Sequence, residues 1–189
     1  MVTGTPSVGK TSISRSLASK LDVVYVSLAE LVERERLISG VDKARGTLIA
    51  DMDRISKRIQ EIIKGSERDV IVDGHYAVDV VSPKDVHLVF VLRRHPIELK
   101  SVMENRGFKE RKLWENLAAE ILDVCLWDAV SVCGSDKVCE IDVSGKRIED
   151  VVKDVILVLE EKKKCQVGIV DWLGKLEGEG RLHEFLKHF

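Results

Sequence analysis

Short apolar runs alternate along the chain with stretches in which apolar residues recur every three or four positions. The runs Asp22–Ser27, Asp69–Asp73, Leu88–Leu92 and Val138–Val143 are apolar on both faces, as strands of a parallel sheet covered on both sides must be. Met1–Thr3 supplies a fifth, very short strand. A central strand usually runs to about five residues, so either the sheet tolerates a stub or the strand begins upstream of Met1. Ile13 and Leu17 share a face of a helix over residues 11–18. Met52, Ile55, Ile59 and Ile62 mark a second helix, with Asp51 or Asp53 near its N-cap; Leu113, Leu117, Ile121 and Val124 mark a third, and Ile148, Val152, Val155 and Leu159 a fourth. The alternation predicts an α/β fold, a five-stranded parallel sheet with helices on both faces. Ligands of such folds bind at the carboxyl ends of the strands, which gives residues there the functional weight.

Gly4-Thr5-Pro6-Ser7-Val8-Gly9-Lys10-Thr11 fits the phosphate-binding pattern G-x-x-x-x-G-K-[ST], between the first strand and a helix. Its glycines let backbone N–H groups turn inward toward phosphate oxygens, Lys10 adds a point charge, and the Thr11 hydroxyl can hold Mg²⁺. The helix behind the loop points its positive end at the same anion. The strand ending in Asp73 is a Walker B pattern, whose carboxylate supports Mg²⁺, often through water, and His75 then sits beside the phosphates. Arg93 and Arg94 end the next strand, where guanidinium groups suit phosphate contacts; Arg94 reads as a surface residue. At the last strand end, the Gly145 turn in Asp142–Lys146 can wrap a base through its backbone. The basic segment Arg106–Lys112, broken by Gly107, reads as a small lid that delivers charge and excludes water.

The remaining composition narrows the picture. A chain of 189 residues, 44% apolar, has a one-domain length with enough apolar material for a core. No run is long enough to span a bilayer, no signal peptide is recognisable, and a cytoplasmic monomer is expected. A net charge of −2 carries no bulk nucleic-acid-binding signature. Cys125, Cys133, Cys139 and Cys165 show no C-x-x-C pair and no His at ligand spacing, so free thiols are expected and a zinc site is not. The N-K-x-D motif of GTPases is absent.

The phosphate loop together with Val72-Asp73-Gly74-His75, Val91-Leu92-Arg93, Asn105-Arg106-Gly107-Phe108 and Glu115–Ile121 resembles the adenylate kinase isoenzyme 6 family, also called coilin-interacting nuclear ATPase. Gln166–Trp172 resembles the C-terminal segment of archaeal members. The resemblance covers nearly the whole chain. It implies a P-loop nucleoside monophosphate kinase fold with a short lid, transfer of the ATP γ-phosphoryl to AMP, ATPase activity, and a role with a small-subunit ribosomal protein or pre-ribosome in subunit maturation. It also implies a kinase domain over residues 1–164, with a monophosphate-binding segment at about 28–49 and the lid at about 105–115, followed by a C-terminal extension over 165–189. Carried over by position, Ser7, Gly9, Lys10, Thr11 and Ser12 contact ATP and Arg106 is the lid arginine that meets it; the Gly145 turn, read from the strand end itself, joins them as an ATP-binding candidate. Lys10, Asp73, His75 and Arg106 are the catalytic candidates, Thr11 and Asp73 the Mg²⁺ holders, and Arg34, Arg36 and Arg93 the acceptor-binding candidates, with Arg45 an alternative. Two departures stand out: Ser7 replaces the usual loop Gly, and residues 41–47 lack much of the acidic stretch of relatives. An ATP-driven assembly factor with incidental kinase activity, or a kinase of another small metabolite, is the alternative.

Overall fold

The computed structural model describes residues 1–42, 47–108 and 110–187. Five parallel strands form the sheet: β1 (Val2–Thr3), β2 (Val24–Ser27), β5 (Val70–Asp73), β6 (Val89–Arg93) and β7 (Val138–Asp142), in the order β2-β5-β1-β6-β7. Helix α1 (Lys10–Leu21) follows the phosphate loop, and α2 (Leu28–Glu35) leaves the end of β2. A two-stranded antiparallel hairpin, β3 (Ile38–Asp42) with β4 (Thr47–Ala50), then leads into α3 (Met52–Gly65), which Asp51 caps by accepting the Arg54 N–H at 3.1 Å. Helices α4 (Ala77–Val80), α5 (Pro96–Asn105), α6 (Glu110–Ile121), α7 (Val124–Cys133), α8 (Ile148–Leu159), α9 (Trp172–Gly178) and α10 (Leu182–Leu186) complete the chain.

Alternation along β6 shows how the layers are built. Phe90 and Leu92 point into one core with Leu17, Leu99, Leu117 and Val155; Val89 and Val91 point into another with Leu31, Ile55, Ile59 and Ala129. The register aligns Ser27 with Asp73, Val2 with Asp73, and Arg93 with Asp142. The strand ends therefore converge on one edge, where the phosphate loop lies.

Several expectations need correction. The periodic stretch through Val124 is two helices. Asp123 adopts a left-handed φ of 58°, which ends α6 and turns Val124 into the exposed start of α7. The hairpin inside the segment 28–49 was not foreseen, and Lys43–Gly46, including Arg45, lie outside the described residues. Cys139 and Cys165, expected as free thiols, are paired in a disulfide, their Cα atoms 4.8 Å apart; Cys125 and Cys133 are free. The first strand is the short stub its sequence suggests. Beneath Met1, a cavity of about 650 Å³ opens between β5 and β6, lined by Leu17, Leu21, Ile71, Val86, Leu88 and Phe90.

Residues 165–187 pack against the sheet-bearing body. The Glu140 N–H donates to the Gln166 carbonyl at 2.8 Å, alongside β7. Trp172, Leu176 and Phe185 are buried, the last two in the core shared with α1 and α8, whereas Leu173 stays exposed. Phe189, a further apolar anchor in the sequence, lies outside the described residues.

Candidate active site

The loop between β1 and α1 has the backbone its sequence demands. Gly4 adopts φ 132°, and a Cβ there would come within 2.4 Å of the Leu92 carbonyl oxygen, so no other residue fits. Gly9 adopts φ 113° where the loop enters α1. Ser7, standing where glycine is usual, is held at φ 72°, a conformation costing about 1 kcal/mol or more for a residue with a Cβ. Thr11 and Ser12 are exposed on the first turn of α1.

Lys10 folds back over the loop and donates to the carbonyls of Gly4 at 2.7 Å and Thr5 at 2.9 Å. Burial takes its ammonium down to about 8, against the pull of the Cys125, Asp73 and Glu120 charges. Asp73, buried at the end of β5, accepts the Tyr25 hydroxyl at 2.9 Å. Desolvation and the Asp73 charge push that phenol up to about 12, so Tyr25 remains a hydrogen-bond donor that orients the carboxylate. His75 follows in the turn after β5. The residue is exposed, yet desolvation, then the Lys10 and Lys112 charges, lower it to about 4. The imidazole is neutral at pH 7.

The lid candidate reaches the loop. Gly107, at φ 77°, ends α5, and the exposed Arg106 places Nη1 3.5 Å from Ser7 Oγ. Ser7, Gly9, Ser12, Arg94, Arg106 and Lys146 are among the residues around a pocket of about 170 Å³ between the loop, α5 and the turn after β7. Gly145 belongs to that turn, at φ 63°, with its N–H on Glu98 Oε2 at 3.2 Å. Arg94, read from sequence as a surface residue, lies against the loop instead. Its Nη2 donates to the Val8 carbonyl at 3.4 Å, and its Nε is buried without a partner beside the pocket. Its Nη1 also faces Glu98 Oε2 at 3.6 Å, and the unmet Nε beside the half-buried loop residues Ser7 and Gly9 fits an anionic ligand.

Arg93 is corrected in the other direction. It is 1% exposed and engaged through all three nitrogens: Nε donates to Glu120 at 3.0 Å, Nη1 to Glu140 at 2.6 Å, and Nη2 to the Glu120 carbonyl and to Asp123. Burial opposes its charge, but Glu120 and Asp123 outweigh that and hold the guanidinium above its ordinary range. It braces the sheet edge, and its burial among three carboxylates keeps it from an acceptor phosphate. Arg34 and Arg36 lie exposed at the far end of α2, Arg34 on Glu35 at 3.2 Å and Arg36 in the left-handed C-cap. An eight-residue helix is about 12 Å long, so these arginines stand about that far along the chain from the end of β2.

Tyr25, Arg94, Thr5 and Glu120 complete the site and were missed in the sequence. Glu120 Oε2 accepts the Thr5 hydroxyl of the phosphate loop at 2.5 Å. No local pattern announces such roles; only the Asp73 pairing across β2–β5 register and the α6 packing bring them in. Among the described residues, no cluster of three or more His, Cys, Asp or Glu could hold a metal. One hydroxyl (Thr11) and one carboxylate (Asp73), completed by phosphate oxygens and water, suit Mg²⁺, which keeps several waters and takes few protein ligands.

Comparison with known proteins bears on the fold and the family. The family model described as "AAA domain" matches residues 1–123. A protein of Methanocaldococcus jannaschii named "Putative adenylate kinase" is 36% identical over 92% of this chain and 92% of its own. Proteins of the same name from Methanosarcina barkeri and Thermococcus onnurineus are 36% and 37% identical, covering 91% and 90% of this chain and 96% and 89% of theirs. Among solved structures, a shikimate kinase from Bacteroides thetaiotaomicron superposes with a TM-score of 0.57 at 19% identity, covering 84% of this chain and 96% of its own. A gluconokinase from Sinorhizobium meliloti gives 0.55 at 16%, covering 85% and 90%. These two show the P-loop kinase fold. With its phosphate loop, its β5 aspartate and its near full-length match to the archaeal proteins, the chain belongs to the P-loop kinase family that carries the name "Putative adenylate kinase".

Proposed function

We propose that the protein transfers the γ-phosphoryl group of ATP to AMP, hydrolyses ATP more slowly at the same site, and serves maturation of the small ribosomal subunit. The observation that carries the transfer chemistry is Arg106 crossing from the end of α5 to Ser7, which sets a second cation opposite Lys10 over the phosphate loop. ATP lies with its phosphates on the loop and its base toward the pocket between Arg94 and Lys146. Thr11 and Asp73 would hold Mg²⁺, which would supply charge neutralisation at the phosphates. Tyr25 keeps the Asp73 carboxylate aimed. The acceptor enters over α2, with Arg34 and Arg36 as the candidate cations. Its phosphate oxygen is already anionic and needs no strong base, so the protein's task is positioning and neutralisation. When water replaces AMP, the neutral His75 imidazole accepts a hydrogen bond from it and orients it.

A coupled assay with and without AMP tests the reading: AMP-dependent ADP production well above the AMP-free rate is expected. ATP consumption indifferent to AMP overturns the kinase assignment. One observation favours the assembly-factor reading. Val167, Ile169 and Leu173 are exposed apolar residues on the C-terminal segment, a surface suited to a protein partner. Pull-down of a small-subunit ribosomal protein that is lost with Val167→Ser/Leu173→Ser supports it, and unchanged capture refutes it.

A further inference from the structure

The C-terminal segment meets the phosphate loop through one buried carboxylate. Glu120, 1% exposed on α6, divides its two oxygens between the body and the segment. Oε2 accepts the Thr5 hydroxyl. Oε1 accepts Arg93 Nε at 3.0 Å, the Arg94 N–H at 3.0 Å and the indole Nε1–H of Trp172 at 2.9 Å. Thr5 is thereby fixed at both its polar groups, since its carbonyl accepts Lys10 Nζ. Arg94 is fixed at its backbone while its side chain reaches the Val8 carbonyl. The indole of Trp172 also meets the His95 ring edge-on, centroids 5.1 Å apart, and His95 caps α5 by accepting the Ile97 N–H at 3.3 Å; α5 carries Arg106. Beside this, the Ile169 N–H donates to Glu140 Oε2 at 2.8 Å, while Glu140 Oε1 accepts Arg93.

A buried indole N–H needs an acceptor wherever it packs; here the acceptor is the same carboxylate that holds the Thr5 hydroxyl of the phosphate loop. We infer that Glu120 and Trp172 are positioning residues for ATP turnover: the C-terminal segment sets the geometry of the phosphate loop through the Glu120 carboxylate. Removing the indole N–H takes one of three donors from a buried carboxylate oxygen, which lets the carboxylate shift on the Thr5 side as well. Loop misplacement of a fraction of an ångström is enough to slow phosphoryl transfer. The inference rests on the ATP-turnover reading above.

The test is a cycle on the full chain. Trp172→Phe keeps a ring against His95 and deletes the N–H; Thr5→Val keeps the shape and deletes the hydroxyl. Trp172→Phe is expected to lower kcat/KM for ATP about three- to tenfold, with a melting temperature within a few degrees of wild type. The double variant is expected to lose less than the product of the two single losses, because both act on one carboxylate. Unchanged kcat/KM in Trp172→Phe, with or without a lower melting temperature, overturns the inference, as do losses that multiply. A second measurement needs no variant. Coupling is reciprocal, so a non-hydrolysable Mg·ATP analogue should slow hydrogen exchange at the Ile169 amide in the wild-type protein. Exchange indifferent to the nucleotide overturns the inference. A wild-type protein that consumes no ATP refutes the turnover reading; an active wild type with indifferent variants refutes only the positioning role.

Discussion

The Lys10 ammonium should couple nucleotide binding to proton uptake. Among the described residues it donates to two neutral carbonyls, and burial lowers it from 10.5 to about 8. Phosphate oxygens are a better partner for a cation, so binding returns it to its ordinary value or above. At pH 7 the amine is already charged, and uptake is roughly 0.1 proton; at pH 9 about nine-tenths of free protein is neutral there, and uptake approaches 0.9 proton. Affinity should then weaken about fivefold from pH 8 to 9 and about sevenfold or more over the next unit. Other groups do not confuse this window: burial raises the Cys125 thiol above its ordinary range, Tyr25 sits at about 12 and His75 at about 4.

The same shift has a sign in stability. The folded value lies below the unfolded one, so the unfolded chain holds more proton between pH 8 and 10.5, and stability rises with pH across that window. Below pH 8 the desolvated charge costs at most about 3 kcal/mol. Titration calorimetry with a non-hydrolysable Mg·ATP analogue, in two buffers of different ionisation enthalpy at pH 7 and 9, reads the proton count directly. Lys10→Met should lose turnover, bind with a flat pH dependence over this range, and show no stability gain between pH 8 and 10.5. Equal proton uptake at the two pH values, or the same pH slope in Lys10→Met, refutes the assignment of the coupled proton to Lys10.

Arg106→Ala should lower kcat roughly 10²-fold while ATP affinity changes little, since the lid charge meets the migrating phosphoryl group; a change confined to the KM for ATP would make Arg106 a ground-state contact. His75→Gly should reduce AMP-free ATP hydrolysis more than transfer to AMP, and equal losses in parallel assays would show that the ring shapes the site generally. Ser7→Gly removes the left-handed strain of a side chain and should raise the melting temperature by about 2–4 °C, as about 1 kcal/mol does at this size; an unchanged or lower melting temperature would show the loop to be relaxed with serine.

What could be read in the sequence was whatever chemistry sits in one continuous stretch. The phosphate loop carries its own backbone requirements, and the strand ending in Asp73 needs only its own hydrophobicity to place the carboxylate at the sheet edge. Arg93 shows the limit. Adjacent strand residues face opposite ways, so of Arg93 and Arg94 one turns inward and the other toward the loop, and which does so depends on where the strand stops. The structure buries Arg93 among Glu120, Asp123 and Glu140 and leaves Arg94 beside the pocket, opposite to the sequence reading. Three carboxylates from α6, the turn after it and β7 decide that orientation, and they lie 27 to 47 residues away.

Periodicity failed for a related reason at Leu113–Val124, where the spacing continues through a break made by the backbone at Asp123. Asp123 and Glu120 both reach the Arg93 guanidinium, Asp123 from the left-handed residue that closes α6. Residues three apart share one face of a helix, so the break costs Arg93 no partner while it lets α7 set off with Val124 exposed. The Glu120 carboxylate that Arg93 holds accepts the Thr5 hydroxyl and the indole of a tryptophan 52 residues further along the chain, so the phosphate loop, α6 and the C-terminal segment share one buried charge.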